Sequence, residues 1–546
     1  MFFLWIIPWW FCFQEGLYIV QGHPCPVPCD CREDHVTDLG TTYIVYCGHK
    51  NLTQVPDFKP LTAVKLPKLI SVADNRITDM NKTNFPPGLD ITILNIGGNR
   101  NLWIADDTFL HSRNTLIHLT LEASGLFFNK TLTFLKDLYR LKKLDLSYNN
   151  MHLPSYDLDD TVIHLTDALF KDQGLTSLTY IKMYGCGIGS MAADVFDGLD
   201  NLQTLDIAVN VMTDIPDAIR QLKNLKTLDF SNGKIRHLRG GRFLGMNKLE
   251  KIKLNYNNLK IIDGNAFKGL ESTLRDLELR GCSLTTVPTN AIKNLKGLKS
   301  LNLASNRISR IYSNSLDGSY CLNELDISNM KILFRQDMFD GQKSCLKDLK
   351  LRNMSLSSIP LKTLSKLPNL RYLFLNNNFI KVLRRNAFKG IRAQTITLSN
   401  SPLKTIEKGA FNGLPRPMYL GIERTNITNL QFFFDYKENT FGWLGVRGSS
   451  IPCDCTLARI MSNMADSGLY GYCLYYGRQL HFRSNELLSI LSSDCPSTFT
   501  AAPKYDLKTI EEHTTFVTIY SNNSSNKRIF ISLDIILLVA GNLLAF

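Results

Sequence analysis

The 546-residue sequence lacks the usual signatures of chemistry. It has no Gly-rich phosphate loop after a strand, no His-Glu-x-x-His and no Gly-x-Ser-x-Gly. Those absences argue against nucleotide-dependent, zinc-hydrolase and serine-hydrolase activities. The 10 His are dispersed: His118 has no nucleophile paired with it, and His237 and His481 sit in unrelated contexts. Asp157, Asp159 and Asp160 fall in an acidic stretch without the Gly and terminal Glu of an EF-hand loop, so a solvated loop is expected there. Neither an enzyme, a cofactor nor a metal is expected. A basic tail is missing too. The formal net charge is +13, yet Lys and Arg are scattered and no aromatic-basic motif accompanies them. That excludes nucleic acid as the expected partner and leaves acidic protein faces or sulfated glycans.

What the chain does have is a repeat. LKSLNLASNRI, residues 298 to 308, returns about every 24 residues. Leu141/Leu144/Leu146/Asn149, Leu202/Leu205/Ile207/Asn210 and Leu249/Ile252/Leu254/Asn257 are copies. The step stays between 23 and 25 residues, apart from one interval of 37 after Leu141. About sixteen copies fit. Leu-x-Leu alternation is a strand with one buried face, and one copy cannot bury it alone. Stacked copies form a parallel sheet. The turn Asn offers an amide to the backbone of neighbouring turns. Cys186 and Cys282 fill that slot as small buried thiols. Phe196, Phe267, Phe388 and Phe411 recur in the back of the unit and predict a second apolar seam.

Cysteines cluster at both ends of the repeats. Cys25, Cys29, Cys31 and Cys47 precede them, and Cys453, Cys455, Cys473 and Cys495 follow. In an exported chain these read as disulfides, with three pairings open to each set of four. Cys321 and Cys345 stand one repeat apart, each just before a first Leu. Stacking brings such positions to roughly 5 Å, within disulfide reach.

This pattern resembles the leucine-rich-repeat family in the 24-residue form found in Slit, Nogo receptor, chaoptin, connectin and Toll ectodomains. The resemblance spans nearly all of residues 25 to 495. It implies an α/β solenoid, a horseshoe with a parallel sheet on its concave face, loops and short helical turns on the convex face, and disulfide caps. For the caps it implies Cys25–Cys31 with Cys29–Cys47, and Cys453–Cys473 with Cys455–Cys495. The second cap departs from the family in reading SSIPCDC, without the usual Asn before Pro.

The ends read as addresses. MFFLWIIPWWFCF and the following residues suggest a signal peptide over 1–22, although no Lys or Arg precedes the apolar run. A cysteine cap over 23–60, the solenoid over 61–451, a cap over 452–495 and a stalk over 496–526 come next. The apolar tail 527–546, behind SNNSSN, resembles a GPI-anchor signal, with a retained span or a secreted form as alternatives. The expected location is the outer side of the plasma membrane. Sequons at Asn51, Asn81, Asn129, Asn353, Asn426, Asn522 and Asn523 are expected to carry glycans.

Residues beside the strand leucines point to the concave face. Tyr148, Tyr180, Lys182, Tyr184, Lys251, Lys253 and Tyr256 form one candidate ligand-binding group. Tyr372, Phe374, Tyr419 and Trp443 form another, with Arg424 and Arg447 nearby. Acids lie between them at Asp276, Glu278, Glu324, Asp326 and Asp348, and Asn353 is expected on the same face. Tyr, Trp and Arg dominate protein–protein hot spots. The expectation is an adhesion molecule or co-receptor that binds an extracellular or cell-surface protein and signals through a transmembrane partner. Innate immune recognition and a matrix role are the alternatives.

Overall fold

The structure is a computed structural model that describes residues 17–20, 23–128, 131–149, 162–166, 169–318, 320–437, 440–464 and 468–496. Asp157, Asp159, Asp160, Asn129, Asn522, Asn523 and the C-terminal tail lie outside those residues. The described chain packs into two units. One holds residues up to 234 together with 245–249; the other holds 235–244 and continues from 250. The division falls inside the repeats, and each unit is a leucine-rich-repeat solenoid.

Each Leu-x-Leu becomes a three-residue strand whose middle residue is buried. In the first unit the hairpin Asp30–Val36/Gly40–Tyr46 starts the sheet. Lys68–Ser71, Ile91–Asn95, His118–Thr120, Lys143–Asp145, Tyr180–Lys182, Thr204–Asp206 and Thr227–Asp229 follow, each parallel to the last. In the second unit the order is Lys251–Lys253, Asp276–Glu278, Ser300–Asn302, Glu324–Asp326, Asp348–Lys350 and Tyr372–Phe374. Thr395–Thr397, Met418–Gly421, Phe441–Gly445 and Leu469–Tyr470 complete it. Register is kept residue for residue, so Leu144 pairs with Ile181 and Leu349 with Leu373. All four are 0% exposed. Burying such side chains contributes about 1.5–3 kcal/mol each, which is what ordering a repeat draws on.

The opposite wall is built of 3-10 turns, short helices and two-residue strand pairs such as Val382–Leu383 with Thr405–Ile406. Phenylalanines stack along it: Phe58, Phe85, Phe109 and Phe134 in the first unit, at ring distances of 6.4, 5.9 and 6.3 Å. In the second, Phe243 lies 6.1 Å from Phe267, and Phe388 lies 5.7 Å from Phe411.

The turn asparagines tie one repeat to the next. Asn149 Nδ2 donates to Leu121 O and Leu146 O, both at 2.8 Å. Its Oδ1 accepts the N–H groups of Ser124 and Leu126, each at 3.0 Å. Asn210 and Asn378 repeat the arrangement. Thus irregular buried backbone finds its partners from one side chain per repeat.

Disulfides close the ends: Cys25–Cys31 and Cys29–Cys47 before the repeats, Cys453–Cys473 and Cys455–Cys495 after them. Cys321 is bonded to Cys345. The C-terminal cap adds helices Cys455–Asn463 and Asn485–Asp494, capped by the side chains of Asp454 and Ser484. No helix among the described residues is long and apolar enough to cross a membrane.

Candidate ligand-binding face

The face of the sheet opposite the buried leucines changes character along each unit. Its start in the first unit is not available. Ile44, Leu69 and Ile93 face outward there, and the hairpin tip covers them with Val36 and Leu39, forming a small second core. The signal was present in YIVY, KLISV and ITILN, where apolar residues run on without alternation, as they do in strands buried on both faces. His118 comes next in register with Ile93. Burial pulls its pKa down to about 4, with Lys143 and Lys142 adding to the effect.

Two strands on, Tyr180 and Lys182 flank buried Ile181, and Lys182 lies 3.6 Å from Asp145 of the intervening strand. Tyr148 and Tyr184 are not strand residues; they occupy the turns that leave the sheet. Tyr148 has φ +54°, a left-handed conformation uncommon for a bulky side chain. Glycine in the next repeat makes room for its ring, since a Cβ at Gly185 would meet that ring at 3.0 Å. Its hydroxyl is pushed up to about 12, first by burial and then by Tyr184, whose ring meets it edge-on at 5.2 Å. Lys182 stands 5.8 Å from the centre of the Tyr184 ring. Tyr148, Tyr184, Lys182 and Asp145 thus contact one another in one cluster.

Lys251, Lys253 and Tyr256 belong to the second unit. Lys251 reaches Glu278 at 3.0 Å and Asp276 at 3.9 Å. Burial acts to lower its pKa, but Glu278 and Asp276 outweigh this and leave it raised. Tyr256 repeats the Tyr148 device with φ +57° over Gly281, and Arg280 lies 5.8 Å from its ring centre. Farther along, Lys350 pairs with Glu324. Asp326 is buried and accepts the Ser328 N–H at 2.9 Å, so it holds its own turn. Burial, then Glu324, raises the Asp348 pKa. The acids between the two aromatic groups are therefore mostly engaged within the sheet. Asn353 stands beside this face rather than on it: it has φ +51° in the turn after Asp348–Lys350, and its Nδ2 donates to Asn329 Oδ1 at 2.6 Å. Asn51 and Asn426 are also exposed, and Asn81 partly so.

The last strands differ. Tyr372 and Phe374 flank Leu373, and Tyr419 sits opposite Trp443 in register. Tyr372 is 43% and Tyr419 39% exposed, against nearly zero for the leucines between them. Trp443 lies over Gly445, where a Cβ would come within 2.2 Å of the indole, and it stacks on Tyr470 at 6.4 Å. Arg352 covers Phe374 at 4.8 Å. Glu423, in the following turn, is pushed toward its neutral form by burial against the opposing effect of Arg424 and Arg447, and its Oε1 has no hydrogen-bond partner. Cys186 and Cys282 lie under the turns; burial raises each thiol to about 12, which keeps them inert.

The sequence is similar to those of known proteins. The profile described as Leucine rich repeat matches residues 223–273, 272–332 and 344–393. Leucine-rich repeat-containing G-protein coupled receptor 5 of Rattus norvegicus is 30% identical over 174 residues, 32% of this chain and 18% of that one. Chaoptin of Drosophila melanogaster is 29% identical over 223 residues, 39% of this chain and 15% of that one. Lumican of Bos taurus is 26% identical over 286 residues, 51% of this chain and 72% of that one. The chain thus spans less than a fifth of the first two relatives. Repeat geometry and profile agree in showing leucine-rich repeats, and the proteins this chain is similar to include chaoptin and lumican.

Proposed function

We propose that the chain is a cell-surface protein that recognises another protein on the exposed sheet face of its second unit, as an adhesion molecule or co-receptor. A C-terminal lipid anchor would hold it on the outer leaflet, and a transmembrane partner would carry any signal. The observation that supports this reading is the pair Tyr372 and Tyr419, aromatic side chains left open on a rigid sheet, with half-buried Trp443 next in the row. Rings of this kind supply large contact area at low entropic cost, and they concentrate binding energy when a partner covers them.

The test uses tagged soluble ectodomain, residues 23 to 496, to stain a panel of cells by flow cytometry. Tyr419→Ala is expected to lower staining of the responding cells about ten-fold, the roughly 1.4 kcal/mol or more typical of an interface aromatic. The thermal melt should not change, because the ring is exposed. Full staining by the variant would sink the reading. Release of the native chain from its own cells by a phosphatidylinositol-specific phospholipase checks the anchor, and retention would point to a span.

A further inference from the structure

The second unit carries both paired and unpaired charge on one sheet, and the boundary between them is sharp. Between Lys251 and Lys350, strand lysines meet carboxylates of neighbouring strands: Lys251 with Glu278 and Asp276, Lys350 with Glu324. From Tyr372 onward the strand carboxylates stop. One outward row reads Tyr372, Thr395, Tyr419, Trp443, and the other reads Phe374, Thr397, Gly421, Gly445. Neither row contains an acid.

Arginines border these rows on both sides. Arg371, Arg392 and Arg416 lie where the strands begin, and Arg424 and Arg447 lie where they end; all are exposed. Among the described residues none of the five forms an ion pair, unlike Lys251 and Lys350. The single carboxylate in these strands and their exit turns, Glu423, is half-buried. The result is an aromatic strip between two lines of exposed arginines that form no ion pair, although Arg424 and Arg447 act on Glu423, Arg371 on Asp348, and Arg447 also lies 5.7 Å from the Tyr472 ring.

Such a strip has a definite complement. Guanidinium groups match carboxylates in paired hydrogen bonds, and such bonds are stronger than neutral ones. Exposed rings take apolar or aromatic side chains. An extended polypeptide sends successive side chains to opposite sides, which suits a strip with a charged border on each side. From Tyr372 to Trp443 is three strand spacings of about 4.8 Å, some 14 Å, the reach of roughly four or five extended residues.

We propose that the strip from Tyr372 to Trp443 docks an extended acidic segment of a protein partner, its carboxylates paired with Arg424, Arg447 and the arginines of the opposite border, its other side chains laid on Tyr419 and Trp443. The inference rests on the reading of this face as a recognition surface and adds the chemistry of what is recognised. It also locates the site away from the sheet's own salt bridges, where a partner would have to break existing pairs.

The probe is a fluorescein-labelled random copolymer of Glu and Tyr, titrated with the ectodomain and followed by anisotropy. A heparin hexasaccharide and an oligouridylate of equal charge are run beside it. The copolymer is expected to bind more tightly than either, and more weakly as salt rises. Arg424→Glu with Arg447→Glu should weaken it at least ten-fold. Lys251→Glu, on the paired stretch, should change it less than two-fold. Equal binding by the double variant, or tighter binding of heparin or oligouridylate, would overturn the proposal. Cell staining separates this failure from that of the broader reading. Staining lost in Tyr419→Ala but intact in the arginine double variant discards the acidic partner alone. Staining unmoved by either discards both.

Discussion

Two stretches of the repeat array solve the same problem with different parts. In the first unit, Asn149 sits in the turn slot and binds backbone groups of its own and the preceding repeat. In the second unit, the repeats that begin at Leu322 and Leu346 put Met330 and Met354 in that slot, both nearly fully buried. Methionine fills the space but supplies no amide. In the same two repeats the tie moves to the other end of the strand. Cys321 is bonded to Cys345, and buried Gln342 accepts the Leu322 N–H at 2.8 Å while it donates to Leu316 O at 3.0 Å. A repeat therefore needs a polar or covalent crossing to its neighbour, but not at one fixed address.

The largest effect expected from breaking this comparison is on the asparagine side. Asn149→Ala leaves the buried N–H groups of Ser124 and Leu126 without their acceptor, and it should cost about 4 kcal/mol, since each orphaned group costs roughly 1–3 kcal/mol. Urea denaturation measures the loss, and hydrogen exchange should place it near residues 121–126. A cost under about 1 kcal/mol would mean the slot needs only volume. Next in size is Cys321→Ser with Cys345→Ser. The bond closes a loop of 24 residues, so its removal should cost about 3 kcal/mol. The loss in protection should centre on 322–351 and leave the Asn149 region untouched. If protection falls equally in both regions, the ties are not local.

Much of this architecture could be read before any coordinates. The step of the repeat, the burial of each middle leucine and the half-cystine positions all follow from local pattern, because each is a statement about residues within one turn or at equivalent places in two turns. The site was less legible. Lys251 and Glu278 are 27 residues apart, and their meeting depends on register and rotamer, so a row of mixed charge on paper became a set of closed pairs. Leucine spacing places Tyr148 and Tyr256 beside the strand face, whereas both stand in left-handed turns at its exit, and the sequence signal for this is a glycine one repeat later, at Gly185 and Gly281. The covered first strands carry continuous apolar runs, YIVY, KLISV and ITILN, which alternation alone does not distinguish from half-exposed strands. Gln342 carried no signal at all, since a buried glutamine in a back-wall turn looks like any solvated one.

The smallest effect is the most direct probe of whether the two solutions are interchangeable. Met330 occupies the slot of Asn306, whose Nδ2 donates to Leu279 O at 2.8 Å and Leu303 O at 2.7 Å. By the same register, an asparagine at 330 would meet Leu303 O and Ile327 O. Met330→Asn gives up the burial of an apolar side chain, about 1.5–3 kcal/mol, and gains several buried hydrogen bonds of about 1 kcal/mol each. In the intact chain these terms nearly cancel and little change is expected. In the Cys321→Ser/Cys345→Ser background the two repeats have lost a crossing, and the new amide should recover about 1 kcal/mol of the lost stability. Equal, small effects in both backgrounds would mean that the disulfide and the turn amide act independently, and that the coincidence of methionine slots with the disulfide has no energetic content. Recovery confined to the disulfide-free chain would make them alternative answers to one requirement, because coupling between neighbouring sites appears as this kind of non-additivity.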